Sequence, residues 1–158
     1  MSVSAFGAGK CFSHLREDSW SRSRKGYRLR VTDDTHDPLT RMKVYQYARR
    51  LREDAWEDVD ELKSHLATEI VAKQLYASVG SISANLAEGY SKSSGKDRAR
   101  SFEYALGSAR ESIEWYDAAK PVIGAETVTA RIEVLGHIRR MLLAIIPRER
   151  GRLIRPRQ

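Results

Sequence analysis

The sequence predicts an all-α protein: an up-down-up-down antiparallel four-helix bundle with a disordered N-terminal extension and a basic C-terminal tail. Three observations lead there. Between residues 38 and 147, apolar side chains recur at steps of three and four in four successive stretches, which puts each set on one helix face. The stretches are joined by short links, as antiparallel neighbours in a bundle require. Hydrophobic residues are 41% and charged residues 31% of a 158-residue chain, enough for one domain with a single core.

Residues 1–37 show no sustained period. Ser, Gly and charged residues dominate, with Phe6, Phe12, Trp20 and Tyr27 scattered among them, the composition of a disordered extension. Gly7-Ala8-Gly9-Lys10 looks like a phosphate loop, but Ser4 and Cys11 stand where the full motif needs Gly and Ser or Thr.

The first helix follows Pro38, with Thr40 as its expected N-cap. Val44, Ala48, Leu51, Ala55 and Val59 form its apolar stripe. Arg49 with Glu53 and Arg50 with Asp54 are spaced to pair across one turn of the solvated face. Asp58–Ser64 reads as the link. The second helix runs to about Tyr90 with Leu66, Ile70, Leu75, Val79, Ile82 and Leu86 on its apolar face. Gly95 suits the turn that follows. The third helix runs from about Lys96 to Ala119, with Phe102, Ala105, Leu106, Ala109, Ile113 and Tyr116 on one stripe, and stops at Pro121 and Gly124. The fourth starts near Glu126, carries Val128, Ile132, Leu135, Ile138, Leu142 and Ile145, and ends at Pro147. The division is therefore 1–37 extension, 38–147 bundle and 148–158 basic tail. Gly80 and Gly107, inside helices at a cost of about 1 kcal/mol each relative to Ala, read as positions of close helix approach.

The net charge of +7 is unevenly placed. Residues 38–138 hold 14 basic and 15 acidic residues, whereas residues 139–158 hold seven arginines and one glutamate. An argument for nucleic acid must rest on that end and on local patches. Arg148, Arg150, Arg152, Arg155 and Arg157 make one cluster; Lys92, Lys96, Arg98 and Arg100, offset by Asp97, make another at the second turn. Strict up-down alternation brings the second turn and the end of the fourth helix to the same rim.

Catalytic and metal chemistry is not indicated. The single Cys11 excludes a disulfide framework and a multi-cysteine zinc site, and suits a reducing cytoplasm. Glu61/His65 and Glu133/His137 are four apart, one more than the spacing of di-iron bundles. No nucleophile stands in a catalytic motif. No enzyme and no cofactor are expected. No apolar run reaches the length of about 18 residues that a membrane span needs, and the first residues lack the continuous apolar segment expected of a signal peptide.

Ser81-Ile82-Ser83-Ala84-Asn85-Leu86-Ala87-Glu88-Gly89-Tyr90, followed by Ala105-Leu106-Gly107-Ser108 and Glu111, resembles the bacterial four-helix-bundle family encoded in intervening sequences of 23S ribosomal RNA genes. A more distant similarity is to the accessory variability determinant of diversity-generating retroelements. The resemblance covers about residues 42–146, with Ser83 where the family often has proline. It implies a homopentamer of non-enzymatic subunits tied to RNA genes or reverse transcriptases. Asn85, Glu88, Gly89, Gly107 and Glu111 are the signature residues, and their polar members suit a buried network that fixes helix register. Tyr104 and Trp115, on a second partly apolar side of the third helix, suit subunit contact. Two functions follow: an accessory protein that binds RNA or DNA, or a protein–protein adaptor, such as a reverse-transcriptase subunit, without direct nucleic-acid contact.

Overall fold

The computed structural model describes residues 37–64 and 68–151. Residues 1–36 of the extension, Leu66 and His65 of the first link, and Arg152, Arg155 and Arg157 lie outside the described residues. Four helices occupy almost all of the described chain: α1 (Lys43–Lys63), α2 (Glu69–Ser91), α3 (Gly95–Ile123) and α4 (Ala125–Arg150). Helix α3 packs most extensively, against α2 on one side and α4 on the other, while α1 closes the ring against α2 and more lightly against α4. Consecutive helices are neighbours, as in an antiparallel up-down bundle.

Each helix buries the stripe its spacing dictates. Val44, Ala48, Leu51, Ala55, Val59 and Leu62 of α1, and Ala72, Leu75, Val79, Ile82 and Leu86 of α2, are buried. So are Phe102, Ala105, Leu106, Ala109, Tyr116 and Ala119 of α3, and Val128, Leu135, Ile138 and Leu142 of α4. Ile132 and Ile145, expected on the inward stripe of α4, are only half-buried, and so is Ile113 at the edge of this core. Its inward place is taken by Ser112, whose hydroxyl lies 3.0 Å from that of Ser78 and 2.8 Å from the Ser108 carbonyl.

The helix ends differ from expectation, and packing gives the reason. Thr40 does not cap α1. It lies in a 3₁₀ turn, Pro38–Arg41, capped by Asp37, whose carboxylate accepts from the Leu39 amide at 2.9 Å. Asp58–Lys63 continues α1 because Asp58, Val59 and Leu62 extend the buried stripe. Ile70 is 70% exposed; five positions before Leu75, it lies about 140° round the helix from the buried face. Gly95 is the first residue of α3, buried and not left-handed; Ser94 caps the helix by accepting from the Asp97 amide at 3.0 Å, and Asp97 Oδ2 accepts from the Ser94 hydroxyl. Pro121 and Pro147 sit inside the last turns of α3 and α4 instead of ending them. Near a C-terminus a proline removes one backbone bond, and the turns continue because Ile123 and Glu149 are buried beyond them. The reversal between α3 and α4 falls on Gly124, whose φ of 81° needs glycine.

Gly80 and Gly107 are not close-packing positions: a Cβ on either would meet nothing within 4 Å. The close approach is at Gly89, where a Cβ would stand 2.7 Å from the Phe102 ring and 3.0 Å from Ser101 Cβ.

Candidate nucleic-acid interface

Short links leave no freedom in which helix termini share an end. The start of α3 follows the end of α2 after Lys92-Ser93-Ser94, and α4 returns to that end. Arg98 Nη2 donates to the Lys92 carbonyl at 2.9 Å and Nη1 stands 3.4 Å from Glu149 Oε2. Arg150 reaches back to Glu103. Lys92, Lys96, Arg98, Arg100, Arg148 and Arg150 therefore gather at one end of the bundle, drawn from two parts of the chain.

Their states differ. Lys92 pairs with Glu88 one turn earlier at 2.9 Å. Arg98 is mostly enclosed, its side chain 22% exposed. Arg100 is exposed, and its Nε donates to the Tyr104 hydroxyl at 3.0 Å. Lys96 and Arg148 are exposed. Lys92 and Arg100 line an open groove of about 370 Å³ with Glu88, Asp97, Ser101 and Tyr104.

The signature polar residues form no buried network. Asn85 is half-buried and its Nδ2 donates to the Ser81 carbonyl of its own helix at 2.8 Å. Glu88 is exposed beside Lys92, and Glu111 is exposed, accepting from Trp115 Nε1 at 3.2 Å. Trp115 is half-buried against the core, whereas Tyr104 is 54% exposed.

The buried polar network lies at the opposite end; sequence spacing set Tyr116 on the core stripe and Asp58 in the link, but did not join them or point to Arg131. Asp58 of α1, only 6% exposed, accepts from Tyr116 Oη of α3 at 2.9 Å. It also accepts from Arg131 of α4, Nε at 2.8 Å and Nη2 at 3.1 Å. Arg131 Nη1 adds Asp54 at 3.2 Å, so Asp54 turns to α4; neither it nor Glu53 pairs with the arginine one turn earlier in α1. Burial, then the adjacent Asp58 charge, pushes the Tyr116 phenol well above its ordinary ionisation range. The one sequence signal was a carboxylate at position 58, in step with the apolar stripe of α1. The network joins three helices through one mostly buried carboxylate and so ties their register together.

Among the described residues no group of three or more His, Cys, Asp or Glu is placed to hold a metal ion, and no helix is long and apolar enough to cross a membrane. His137 is exposed and its ring stacks on that of Tyr47, centroids 5.8 Å apart.

A crystal structure of a protein with unknown function from the S23 ribosomal protein family of Bacteroides thetaiotaomicron superposes with a TM-score of 0.62. The two are 22% identical over 65% of this chain and 97% of that one, a likeness that shows the fold. No relative is found among curated proteins. The sequence pattern of the family described as "23S rRNA-intervening sequence protein" matches residues 40–144, which take in nearly all of the four helices. The chain belongs to the 23S rRNA-intervening sequence protein family.

Proposed function

We propose that the protein is a non-enzymatic, RNA-associated accessory protein that acts as a homo-oligomer and meets RNA with the rim formed by the α2–α3 turn and the end of α4. The observation that carries this reading is the Arg98–Glu149 contact, which joins the two basic clusters on one end. Six basic side chains stand there against Glu88, Asp97, Glu103 and Glu149, and Arg152, Arg155 and Arg157 follow in the chain. Residues 38–138 are otherwise close to neutral. The exposed pairs, Lys92–Glu88 and Arg150–Glu103, are each worth about 0–1 kcal/mol, so phosphate oxygens can displace those two carboxylates at little cost. Arginine's planar fork suits that exchange. The family's description, which ties its members to 23S rRNA genes, agrees with an RNA partner.

In this reading copies associate along the outward stripe of α3 around Trp115, into the pentamer that the family resemblance implies. Oligomerisation makes weak phosphate contacts additive through effective concentration. Light scattering of the intact protein should give a mass above the monomer, and Trp115→Glu should lower it.

The direct test is fluorescence anisotropy of labelled single-stranded RNA across a salt series, for the intact chain and for one ending at Gly151. That cut leaves all four helices whole. Removing three arginines should weaken binding and flatten the log–log salt slope by about 2, at roughly 0.7 per phosphate contact on a single strand. Equal affinity and slope would remove residues 152–158 from the contact. No binding by the intact chain at low salt would displace the RNA reading in favour of an adaptor that holds a protein partner, such as a reverse transcriptase.

A further inference from the structure

The groove at the start of α3 has a composition that a plain phosphate track would not need. It is lined by Tyr104, 54% exposed, on the third turn after the Ser94 cap. Arg100, one turn earlier, donates from Nε to the Tyr104 hydroxyl at 3.0 Å, and its guanidinium carbon stands 5.8 Å from the ring centroid. The guanidinium thus lies over one side of the ring near its hydroxyl and fixes the ring's direction, while the residue stays more than half exposed. Lys92 and Arg100 supply positive charge, and Glu88 and Asp97 supply carboxylates that can accept from ring or amino N–H groups. The volume, about 370 Å³, falls in the range of small-ligand sites.

We infer that this groove takes one unpaired nucleotide of a single-stranded RNA, with its base stacked on Tyr104 and its phosphate beside Lys92 and Arg100. The inference deepens the RNA reading above and rests on it. Two carboxylates among the cations make a continuous duplex backbone a poor fit, whereas a splayed nucleotide offers one phosphate, one stacking face and a hydrogen-bonding edge. Stacking on an aromatic ring is tolerant of sequence and is lost when the strand is paired. Trp115, where copies are proposed to meet, lies eleven residues further along the same stripe, about 16 Å along the helix axis, and the inference requires the contact between copies to stop short of Tyr104.

The test compares a short labelled single-stranded RNA with the blunt duplex of the same sequence, by anisotropy at fixed salt. Tyr104→Leu should weaken single-strand binding about ten-fold, leave duplex binding within about two-fold and keep the salt slope. Tyr104→Trp should retain single-strand affinity. No loss with Tyr104→Leu, or equal loss on both RNAs, overturns the stacking site; if truncation at Gly151 still weakens binding, the rim reading survives it. A fall in oligomer mass with Tyr104→Leu, read by light scattering, would make Tyr104 a contact between copies and also overturn it. Absence of RNA binding by the intact chain removes both readings.

Discussion

At one end of the bundle Arg131 grips Asp58 with two nitrogens beneath Tyr116; at the other, Arg150 reaches Glu103 at the open surface, beside an Arg98–Glu149 pair that is itself mostly enclosed. The chemistry is the same and the surroundings differ. Within the bundle, water cannot replace a lost partner, so each member of the Asp58 group depends on the others. At the exposed Arg150–Glu103 pair, water or a ligand can replace either partner, so the contact orients the side chains without committing them. The first end holds helices in register. The second presents charge.

The difference breaks most sharply with Arg131→Met, which leaves Asp58 buried without its cation. It should cost about 3–5 kcal/mol in a urea melt, and adding Asp58→Leu should recover much of that loss. If Arg131→Met costs less than about 1 kcal/mol, the pair behaves as a surface one and the contrast between the ends fails.

Gly89→Ala comes next. Its Cβ would stand against the Phe102 ring, an overpacking worth about 1–3 kcal/mol. Gly80→Ala and Gly107→Ala face open space and should stabilise by up to about 1 kcal/mol. Equal effects at the three glycines would contradict the packing described at the α2–α3 crossing.

Tyr116 sharpens the comparison through pH. Its phenol ionises near the ordinary value of 10 in the unfolded chain and higher in the folded one. The folded state therefore holds the proton longer, and the contribution of Tyr116 is full below pH 10 and lost as pH rises above it. Stability of the intact protein should fall more steeply with alkaline pH than that of Tyr116→Phe, followed by denaturant midpoint. Parallel curves would mean that the phenol is not held in the Asp58 network. The smallest effect on stability belongs to the rim: Arg150→Ala should cost less than about 1 kcal/mol.

The four stripes were legible because a packed helix repeats its inward residues locally, and Leu51, Ile82, Phe102 and Leu135 each sit on such a repeat. Helix ends were less legible. Pro121 and Pro147 look like stops, yet one missing bond in a last turn is outweighed when Ile123 or Glu149 is buried beyond it. The Asp58–Tyr116–Arg131 group was invisible for another reason: its members lie on three helices, and no local period marks a contact between residues 58 and 131. Asn85, Glu88 and Glu111, by contrast, share a recognisable motif but turn to their own helices. The basic rim could be read because it depends on topology alone: short links and alternation decide which termini meet.

That placement also yields the most direct test of the account. Lys96 and Arg148 are exposed at the rim, and Lys63 and Lys120 are exposed near the opposite end. Salt series of RNA binding should be compared for Lys96→Ala with Arg148→Ala and for Lys63→Ala with Lys120→Ala. The rim pair should weaken binding and flatten the slope by about 1.4, at roughly 0.7 for each phosphate no longer neutralised, while the opposite pair leaves both unchanged. Equal losses from the two pairs would show that RNA responds to total charge and not to the rim, and would contradict the division between the ends.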